Sequence, residues 1–531
     1  MSTRLTVWDG AGVIGGNKVL LETDGRALFL DFGTAFATMD QYFADFLGSR
    51  ANRGLLDLVE LDILPPLDGV YRRDLYPPDG SVEDRMRRKA DHRLVEVHAI
   101  LASHAHVDHN GAIASVREDV PIHCSPMTAV IGKAMQDCGG PSPGDIAYVR
   151  AKSDYHGLLR TNVKTPARQR PHAFQSTSWN EEAAAFWARR DTKPGLEGVA
   201  PRLGALDVAG LPYQEFAVDH SILGATAFAI ETSAGLVAYT GDIRMHGRTG
   251  EMTRRFAQAL ADRRPRVLIT EGTHLGDDHA LRAQGPLPLG SEQRVRDRAL
   301  EVVRAARGFV AADFQPRHIE RLMTFRDVAR ETGRKLAVLV KDAYLLEAMH
   351  AIDADVPTVD RDDALVLYVR GKLSASTWER KVLERLHARR VDATEVRAHP
   401  EGYVVALSFY ELAELVEIDP PAGGIWIHST SEAFDEEGLV NWERLKDWLE
   451  HFGVRLVGDW QRAREGDVEH EGLHASGHVS GVELEELIRI IRPQMLVPVH
   501  TEHPEWFRRF EGELQVELPE RGKPIVLDRH D

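Results

Sequence analysis

The sequence has very little cysteine and no long hydrophobic run. Only 2 of its 531 residues are cysteines, Cys124 and Cys138, which excludes a disulfide framework or a cysteine-rich zinc site and favours a reducing compartment. No run of about 18 apolar residues occurs, so no membrane span is expected. The first residues, MSTRLTVWDG, lack the basic and apolar regions of a signal peptide. We therefore expect a cytoplasmic protein that does not enter a membrane.

Basic residues are also outnumbered. The chain has 65 Lys+Arg against 82 Asp+Glu, a formal net charge of −17, which argues against a protein that coats nucleic acid through a large basic surface. Basic and acidic residues are unevenly distributed along the chain. Residues 254–335 contain 17 basic and 11 acidic residues, so this segment has a net charge of +6 and the remainder of the chain has −23. An enzyme that grips a few phosphates in a local cleft is therefore compatible with the composition.

The pattern of apolar residues predicts three segments. Residues 1–273 read as short strands and turns, interrupted by a polar excursion at about 142–202 with a helix-like piece, NEEAAAFWARR. Residues 274–465 alternate between helices and strands, which is typical of a parallel-sheet α/β domain. Residues 466–531 add a helix between further strands. With 43% hydrophobic residues, a chain of this length can bury several cores.

Histidine is abundant, and one histidine cluster stands out among the 24. The string HAHVDH directly follows the apolar strand predicted in VEVHAILASH. His104 and His106 can face one ion, and Asp108 and His109 can face a second ion across the turn. Imidazole and carboxylate are the ligands that a borderline divalent metal takes when thiolates are absent. Three histidines and one aspartate within six positions predict a metal site rather than isolated core histidines.

Two later strand ends carry further candidate ligands. VDHS ends one predicted strand at His220, and YTGD ends the next at Asp242. A carboxylate beside a glycine at a strand end can bridge two closely spaced ions, and a two-metal site needs such a bridge. Each residue alone would be an ordinary turn residue, but their order after HAHVDH favours one shared site.

HAHVDH, DHS and TGD in this order resemble the metallo-β-lactamase superfamily, whose fold is an αββα sandwich with metal ligands on loops along one edge. The resemblance implies two divalent ions, Zn²⁺ or Mn²⁺. It also implies that Asp31, at the end of an early strand, orients a ligand. The metal ligands that the resemblance implies are His104, His106 and His220 for the first ion, Asp108, His109 and a late histidine for the second, and Asp242 as the bridge.

Three later strings resemble the β-CASP branch of that superfamily and its ribonuclease J-like members. TEGT supplies Glu271 at motif A, ASGH supplies His478 at motif B, and PVHTE supplies His500, the late histidine, at motif C. The predicted fold class is therefore α/β: an αββα sandwich with a parallel-sheet β-CASP domain inserted between Glu271 and His478. Relatives usually have glycine where Thr501 stands. The chain also ends about 30 residues after His500, which we interpret as leaving no room for the additional C-terminal domain of ribonuclease J.

The resemblance implies a dinuclear hydrolase that cleaves phosphodiester bonds of single-stranded RNA by attack of a metal-bridged hydroxide. The resemblance further implies that such a hydrolase acts as a 5′-exonuclease, an endonuclease or both. RNA is favoured over DNA because RNA-processing members carry histidine at motif C, as His500 does, whereas DNA-repair members carry valine. The residues assigned to catalysis are Asp108, Asp31, Glu271 and His478.

Within that site, His478 would contact the scissile phosphate or protonate the leaving oxygen, since imidazole titrates near neutral pH. Glu271 would support His478 or a metal ligand. Hydroxyl residues at the end of the strand IWIHST, Ser429 and Ser431, are candidates for binding phosphate, together with Ser476 beside His478.

Other functions remain open at this point. A hydrolase of this superfamily that acts on a lactone, thioester or other ester of a small molecule would share the ligands but lack the inserted domain. A DNA nuclease of the same fold and a binding protein with a decayed site are further alternatives. The sequence also leaves a homo-oligomer, such as a dimer, open.

Overall fold

The computed structural model describes residues 2–44, 46–139, 146–189, 195–275, 291–315, 317–430 and 436–528. The chain forms two compact units. Unit 1 comprises Met1–Met245, Thr249–Pro286 and His478–Asp531, and unit 2 comprises His246–Arg248 and Leu287–Gly477. The first unit is therefore built from segments on both sides of the second in the sequence. The domain boundaries that we predict from the sequence, at 273/274 and 465/466, each precede a boundary between the two units, at 286/287 and 477/478.

Unit 1 contains two large sheets. Sheet I has eight strands, in the order Arg202–Leu203, His172–Phe174, Ile122–His123, Ala99–Leu101, Arg26–Leu30, Lys18–Thr23, Thr3–Asp9 and Pro524–Leu527. Sheet II has seven, in the order Asp207–Val208, Leu211–Ala217, Thr226–Thr232, Gly235–Tyr239, Val267–Thr270, Met495–Pro498 and Gln515–Val516.

The two sheets pack face to face, because successive side chains of a strand point to opposite faces and both faces are apolar. Leu5 and Val7 join the buried cluster shared with Ile230 and Val237 of sheet II. Trp8, next in the chain, belongs to the cluster on the outer face of sheet I. Burial on both faces explains why these strands read as nearly continuous apolar runs.

Helices cover the outer faces of both sheets. On sheet II, Phe256 and Leu260 from one helix and Leu484 and Leu487 from another complete a third cluster. Unit 1 is thus layered as helices, sheet, sheet, helices, and the chain as a whole is a mixed α/β protein. The helices of unit 1 are Phe36–Tyr42, Leu56–Glu60, Ser81–Arg88, Val107–Asn110, Pro126–Asp137, Glu181–Trp187, Gly250–Ala261 and Gly481–Ile491, with 3₁₀ turns at Ala51–Arg53, Arg73–Leu75, Gly111–Ser115 and Pro504–Phe510.

The predicted excursion at about 142–202 is partly a piece of the sheet. His172–Phe174 and Arg202–Leu203 pair in parallel at one edge of sheet I. Its helix is confirmed at Glu181–Trp187, where the Asn180 side chain accepts the backbone N–H of Ala183. Its remaining strands are Tyr148–Val149, Ala167–Gln169, Leu196–Glu197 and the hairpin Lys152–Tyr155 with Leu158–Thr161.

Unit 2 is built on a seven-stranded sheet III whose strands are all parallel. This confirms the parallel α/β pattern predicted for the middle of the chain. Its order is Arg390–Val391, Leu365–Tyr368, Lys335–Leu339, Tyr403–Ala406, Val310–Asp313, Ile425–His428 and Arg455–Val457. The helices are Glu292–Ala305, Ile319–Glu331, Val340–His350, Thr377–Arg385, Ala393–Ala398, Glu414–Ile418, Glu436–His451 and Trp460–Arg464. Across the described ranges, no helix combines the length and apolar character needed to span a membrane.

Candidate metal centre

Strand ends of both sheets of unit 1 carry the candidate site. In sheet I, Arg26–Leu30 and Ala99–Leu101 run in parallel, and Asp31 and His104 follow them. In sheet II, Gly235–Tyr239, Val267–Thr270 and Met495–Pro498 are mutually parallel, so their carboxyl ends meet at one edge. Asp242, Glu271 and His500 follow these three strands. Parallel pairing therefore gathers residues that are far apart in the sequence.

The structure brings together every residue predicted as a metal ligand. In the candidate site the possible ligand atoms form three groups, within each of which they lie no more than 4.8 Å apart; a fourth group of this kind, Asp467, Glu469 and His470, lies elsewhere in the described residues. All three groups share Asp242. Group 1 is His104, His106, His220 and Asp242; group 2 is Asp108, His109, Asp242 and His500; group 3 is Asp242, Glu271 and His478.

Asp242 lies between the first two groups. Its Oδ2 is 3.0 Å from Nε2 of His109 and 3.8 Å from Nε2 of His500. The same oxygen is 3.8 Å from Nε2 of His104 and 3.9 Å from Nε2 of His220. One carboxylate oxygen thus faces imidazole nitrogens of both groups, which is the position that a bridging ligand takes in a two-metal site.

Buried polar atoms without hydrogen bonds show that the site suits a cation. Both carboxylate oxygens of Asp242 and Nε2 of His109 are buried and make no hydrogen bond of acceptable geometry. A buried polar group left unpaired is costly, and metal coordination satisfies such a group. The donor set is imidazole and carboxylate without thiolate, which fits Zn²⁺ or Mn²⁺.

Hydrogen bonds at the far side of each ring decide which nitrogen can bind a metal. Nδ1 of His109 donates to Asp31 Oδ2 at 2.7 Å, so its Nε2 presents a lone pair to the site. The Ser103 hydroxyl donates to Asp31 at 2.7 Å and therefore accepts from Nδ1 of His104 at 2.9 Å. Nε2 of His104 then also presents a lone pair, 3.0 Å from Nδ1 of His106.

Asp31 accepts the hydrogen bonds that hold His109 and Ser103 in place. It is fully buried, and its carboxylate also accepts the Ser103 backbone N–H at 2.7 Å and the Tyr239 hydroxyl at 2.6 Å. Its φ of 58° lies in the left-handed region, which aspartate tolerates better than most residues. The predicted role of Asp31, orienting a ligand rather than binding metal, agrees with these contacts.

Glu271 supports the other side of the site. Its Oε1 accepts the Ile243 backbone N–H at 2.7 Å, and its Oε2 accepts the Thr273 hydroxyl at 2.6 Å. Because that hydroxyl donates to Glu271, it accepts from Nδ1 of His500 at 2.9 Å. Nε2 of His500 lies 3.1 Å from Asp108 Oδ2. The Nδ1 atom of His500 therefore donates to a threonine hydroxyl, in the same way as Nδ1 of His104 donates to a serine hydroxyl.

His478 contacts Glu271 through Nδ1, at 3.0 Å from Oε2, and that nitrogen lies 3.7 Å from Asp242. A nitrogen that donates to a carboxylate does not coordinate a metal at the same time, so Nδ1 of His478 is not available as a metal ligand while it donates to Glu271. Its side chain is 22% exposed, whereas those of His104, His109 and His220 are fully buried.

Burial lowers the pKa of some histidines of the site, whereas nearby carboxylates raise the pKa of others. Burial lowers the pKa of His104 and of His220 well below the ordinary value. Burial acts in the same direction on His109, but the carboxylates of Asp242, Asp108 and Asp31 outweigh it and hold its pKa well above the ordinary value. For His478, burial is again outweighed, chiefly by Glu271 and then Asp242, and the pKa rises to about 9. These directions describe the metal-free site.

Close backbone approach shapes two walls of the site. The Gly10 carbonyl accepts the His500 N–H at 2.7 Å, and His500 has a φ of 54°. A Cβ added at Gly15, where φ is 78°, would lie 3.3 Å from Asp108 Oδ2. Thr501, which replaces the usual glycine, is fully buried and accepts the His503 N–H at 3.0 Å, so the local turn accommodates it.

The three serines predicted to contact substrate have less structural support than the predicted metal ligands. Ser429 is buried within unit 2, where its hydroxyl donates to the Leu473 carbonyl at 2.7 Å and accepts from Arg321 at 2.6 Å. These bonds brace unit 2 and argue against a phosphate contact by that hydroxyl. Ser476 is half-buried, and its carbonyl faces Nε2 of His246 at 3.1 Å. Ser431 lies outside the described residues.

Sequence reasoning missed the residues that hold the ligands in place. Ser103, Tyr239 and Thr273 each bond to a carboxylate that supports the site. Each lies directly beside or at the end of a motif string, and that position is the one signal from which they could have been found. Asn17, whose side chain donates to the Tyr239 hydroxyl at 3.1 Å, gives no such signal.

The fold and the site define an α/β protein with a buried histidine and aspartate cluster suited to divalent metal. Comparison with curated proteins gives the particular relatives. The chain is 25% identical to ribonuclease J of Mycolicibacterium smegmatis over 505 residues, which cover 94% of this chain and 68% of that protein. It is 24% identical to ribonuclease J of Sinorhizobium meliloti over 461 residues, which cover 86% and 65%. For ribonuclease J of Helicobacter pylori strain B128 the identity is 20% over 539 residues, which cover 99% and 60%.

These matches extend along nearly the whole chain, so the chain is similar to ribonuclease J over almost its entire length. The chain spans about 60% to 68% of the length of these relatives. No family model matches it. Among solved structures, a protein of unknown function from Enterococcus faecalis V583 aligns with a TM-score of 0.66 at 19% identity, over 99% of this chain and 100% of that one. That likeness concerns the fold alone.

Proposed function

We propose that this chain is a metal-dependent nuclease that hydrolyses phosphodiester bonds of single-stranded RNA. Unit 1 is its metallo-β-lactamase αββα sandwich, and unit 2 is its inserted β-CASP domain. Groups 1 and 2 would each hold one divalent ion, Zn²⁺ or Mn²⁺, and Asp242 belongs to both groups. The observation that carries the proposal is the placement of Asp242, whose buried, unbonded oxygens face imidazole nitrogens of both groups.

Two ions bound there would supply activation of a water molecule and neutralise charge on the phosphoryl oxygens. The side chains of the protein provide the geometry. Asp31 fixes the ring of His109, and Thr273 fixes the ring of His500, so that each Nε2 points to the site. Such outer hydrogen bonds hold ligands within the narrow range of positions that catalysis requires.

His478 protonates the leaving oxygen or contacts the scissile phosphate. Its Nδ1 donates to Glu271, which orients the ring and stabilises its protonated form. Transfer of a proton to the leaving oxygen would therefore use Nε2. The partial exposure of His478 is consistent with contact to substrate, whereas the fully buried ligands can be reached only through the ions.

RNA is the proposed substrate because the relatives carry the name ribonuclease J and because His500 stands at motif C. The acidic balance of the chain does not oppose this assignment, since the ions bring positive charge to the place where phosphate must bind. Exonucleolytic or endonucleolytic mode, cytoplasmic location and assembly into a dimer stay predictions.

The test compares three substrate classes with one protein sample. The purified chain is incubated with Mn²⁺ or Zn²⁺ and with end-labelled single-stranded RNA, DNA of the same sequence, or a panel of lactones and thioesters. We expect cleavage of RNA, which Asp108→Ala abolishes because it removes a ligand of group 2. Lactone hydrolysis without RNA cleavage would contradict the nuclease proposal, and DNA cleavage without RNA cleavage would contradict the choice of substrate.

A further inference from the structure

A small cavity lies beside the motif C loop in unit 1. It has a volume of about 290 Å³ and is lined by Leu275, His503, Glu505, Trp506 and Arg509. This volume is near the lower end of the range for small-molecule sites, so it suits a single planar group rather than a large ligand. None of its lining residues is among the metal ligands or the predicted substrate contacts.

The cavity is close to the metal centre along two segments of the chain. Leu275 comes two residues after Thr273, and His503 comes three residues after His500. Since an extended chain advances at most about 3.6 Å per residue, these links bound the separations of their Cα atoms at about 7 and 11 Å. Stacked nucleotides advance about 3.4 Å each, so these two separations correspond to about two and three nucleotides.

A stacked pair forms one wall of the cavity. The guanidinium of Arg509 lies over the indole ring of Trp506, with 3.9 Å between the guanidinium carbon and the ring centroid. Arg509 also pairs with Glu485 at 3.3 Å, which holds the plane in position, and its side chain is 30% exposed. Unpaired RNA bases stack on arginine planes as well as on aromatic rings.

The two charged residues that line the cavity, Glu505 and Arg509, have opposite signs, and Arg509 is already paired with Glu485, so a neutral base fits better than a phosphate. Glu505 lines the cavity with a side chain that is 64% exposed and whose Oε1 is 3.3 Å from Nδ1 of His503. A carboxylate repels phosphate but accepts hydrogen bonds from the amino groups of bases. The backbone of a bound strand would therefore pass outside the cavity while a base enters it.

We infer that this cavity is a nucleobase subsite, in which a base of the substrate stacks on Arg509 within about three nucleotides of the cleaved bond. The inference rests on the proposed RNA cleavage. It adds a contact between the protein and the face of one base of the RNA. Stacking tolerates any base, so the subsite positions the strand without selecting its sequence.

The test uses the intact protein and RNA oligonucleotides that carry one abasic nucleotide, moved stepwise along the strand. For the unchanged protein, we expect one position near the cleaved bond at which loss of the base lowers kcat/KM by about 5- to 160-fold, the strength of a single base stack. In Arg509→Met and in Arg509→Lys that position-specific loss should disappear, because both variants remove the planar group.

Arg489→Met is the matched control. Arg489 also pairs with Glu485 and also lies over an aromatic ring, that of Phe510, but it does not line the cavity. Its abasic profile should match that of the unchanged protein. If RNA is cleaved but Arg509→Met keeps the same abasic profile, or if Arg509→Lys restores it, the subsite is wrong and the nuclease proposal stands. If the unchanged protein cleaves no RNA, both are wrong.

Discussion

Replacing Asp31 by asparagine should weaken metal binding although Asp31 binds no metal. The buried carboxylate of Asp31 accepts four hydrogen bonds, two from Ser103 and one each from His109 and Tyr239. An amide has only one oxygen, so at least one of these donors must face an NH₂ group. If the amide nitrogen takes the Oδ2 position, Nδ1 of His109 loses its acceptor. If the amide nitrogen takes the Oδ1 position, the Ser103 backbone N–H loses its acceptor.

The expected size follows from these contacts. One orphaned buried donor costs about 1–3 kcal/mol of folding free energy. Loss of an outer hydrogen-bond partner of a metal ligand typically lowers metal affinity by about 10- to 100-fold. We therefore expect Asp31→Asn to fold less stably and to bind Zn²⁺ or Mn²⁺ about 10- to 100-fold more weakly than the unchanged protein.

Isothermal titration against a competing chelator measures the affinity, and urea denaturation of the metal-free protein measures the stability. Asp62→Asn is the control, because Asp62 has the same φ of 58° but a half-exposed side chain far from motif residues in the sequence. Metal affinity of Asp31→Asn equal to that of Asp62→Asn would refute the reasoning that Asp31 acts through His109.

Three further predictions follow from single contacts. Gly15→Ala should lower metal content, measured by elemental analysis, because its Cβ would crowd a ligand carboxylate, whereas Gly12→Ala, with a φ of 69° but open space, should not. Glu271→Gln should lower kcat at least about tenfold at saturating metal, since His478 loses its charged partner; an unchanged kcat would contradict this role. Burial raises the pKa of Asp342 to about 6, so its neutral form is favoured in the folded state and stability falls as pH rises through about 4 to 6. Urea denaturation at pH 4 and pH 8 should show Asp342→Asn losing less stability over this interval than the unchanged protein, and equal losses would contradict the assignment.

The sequence was informative where a ligand type repeats within a motif. HAHVDH, DHS, TGD and PVHTE could be assigned in order because histidine and aspartate are the chemistry of the site, and the structure gathers these residues at strand ends. The supporting hydroxyls of Ser103, Tyr239 and Thr273 escaped this reasoning. Serine, threonine and tyrosine are frequent residues, and only the fold reveals which of them reach a carboxylate.

Other differences arise from long-range pairing. His172–Phe174 and Arg202–Leu203 are too short for their own periodicity to predict strands, and they exist because sheet I offers an open edge. Ser429 looked suited to phosphate because it ends an apolar strand, but its neighbour Arg321 comes from a helix more than a hundred residues earlier and occupies its hydroxyl. A strand end predicts the position of a side chain without predicting its partners.

The discontinuous construction of unit 1 affects the order in which the protein acquires activity during its synthesis. His478 and His500 emerge from the ribosome only after all of unit 2, and the strand Pro524–Leu527, which pairs with Thr3–Asp9, emerges later still. Until these segments have been synthesised, sheet I stays open at one edge and group 2 lacks a ligand. Pairing between segments so distant in sequence is slow. A nascent chain of this protein therefore cannot complete groups 2 and 3 until unit 2 has been synthesised.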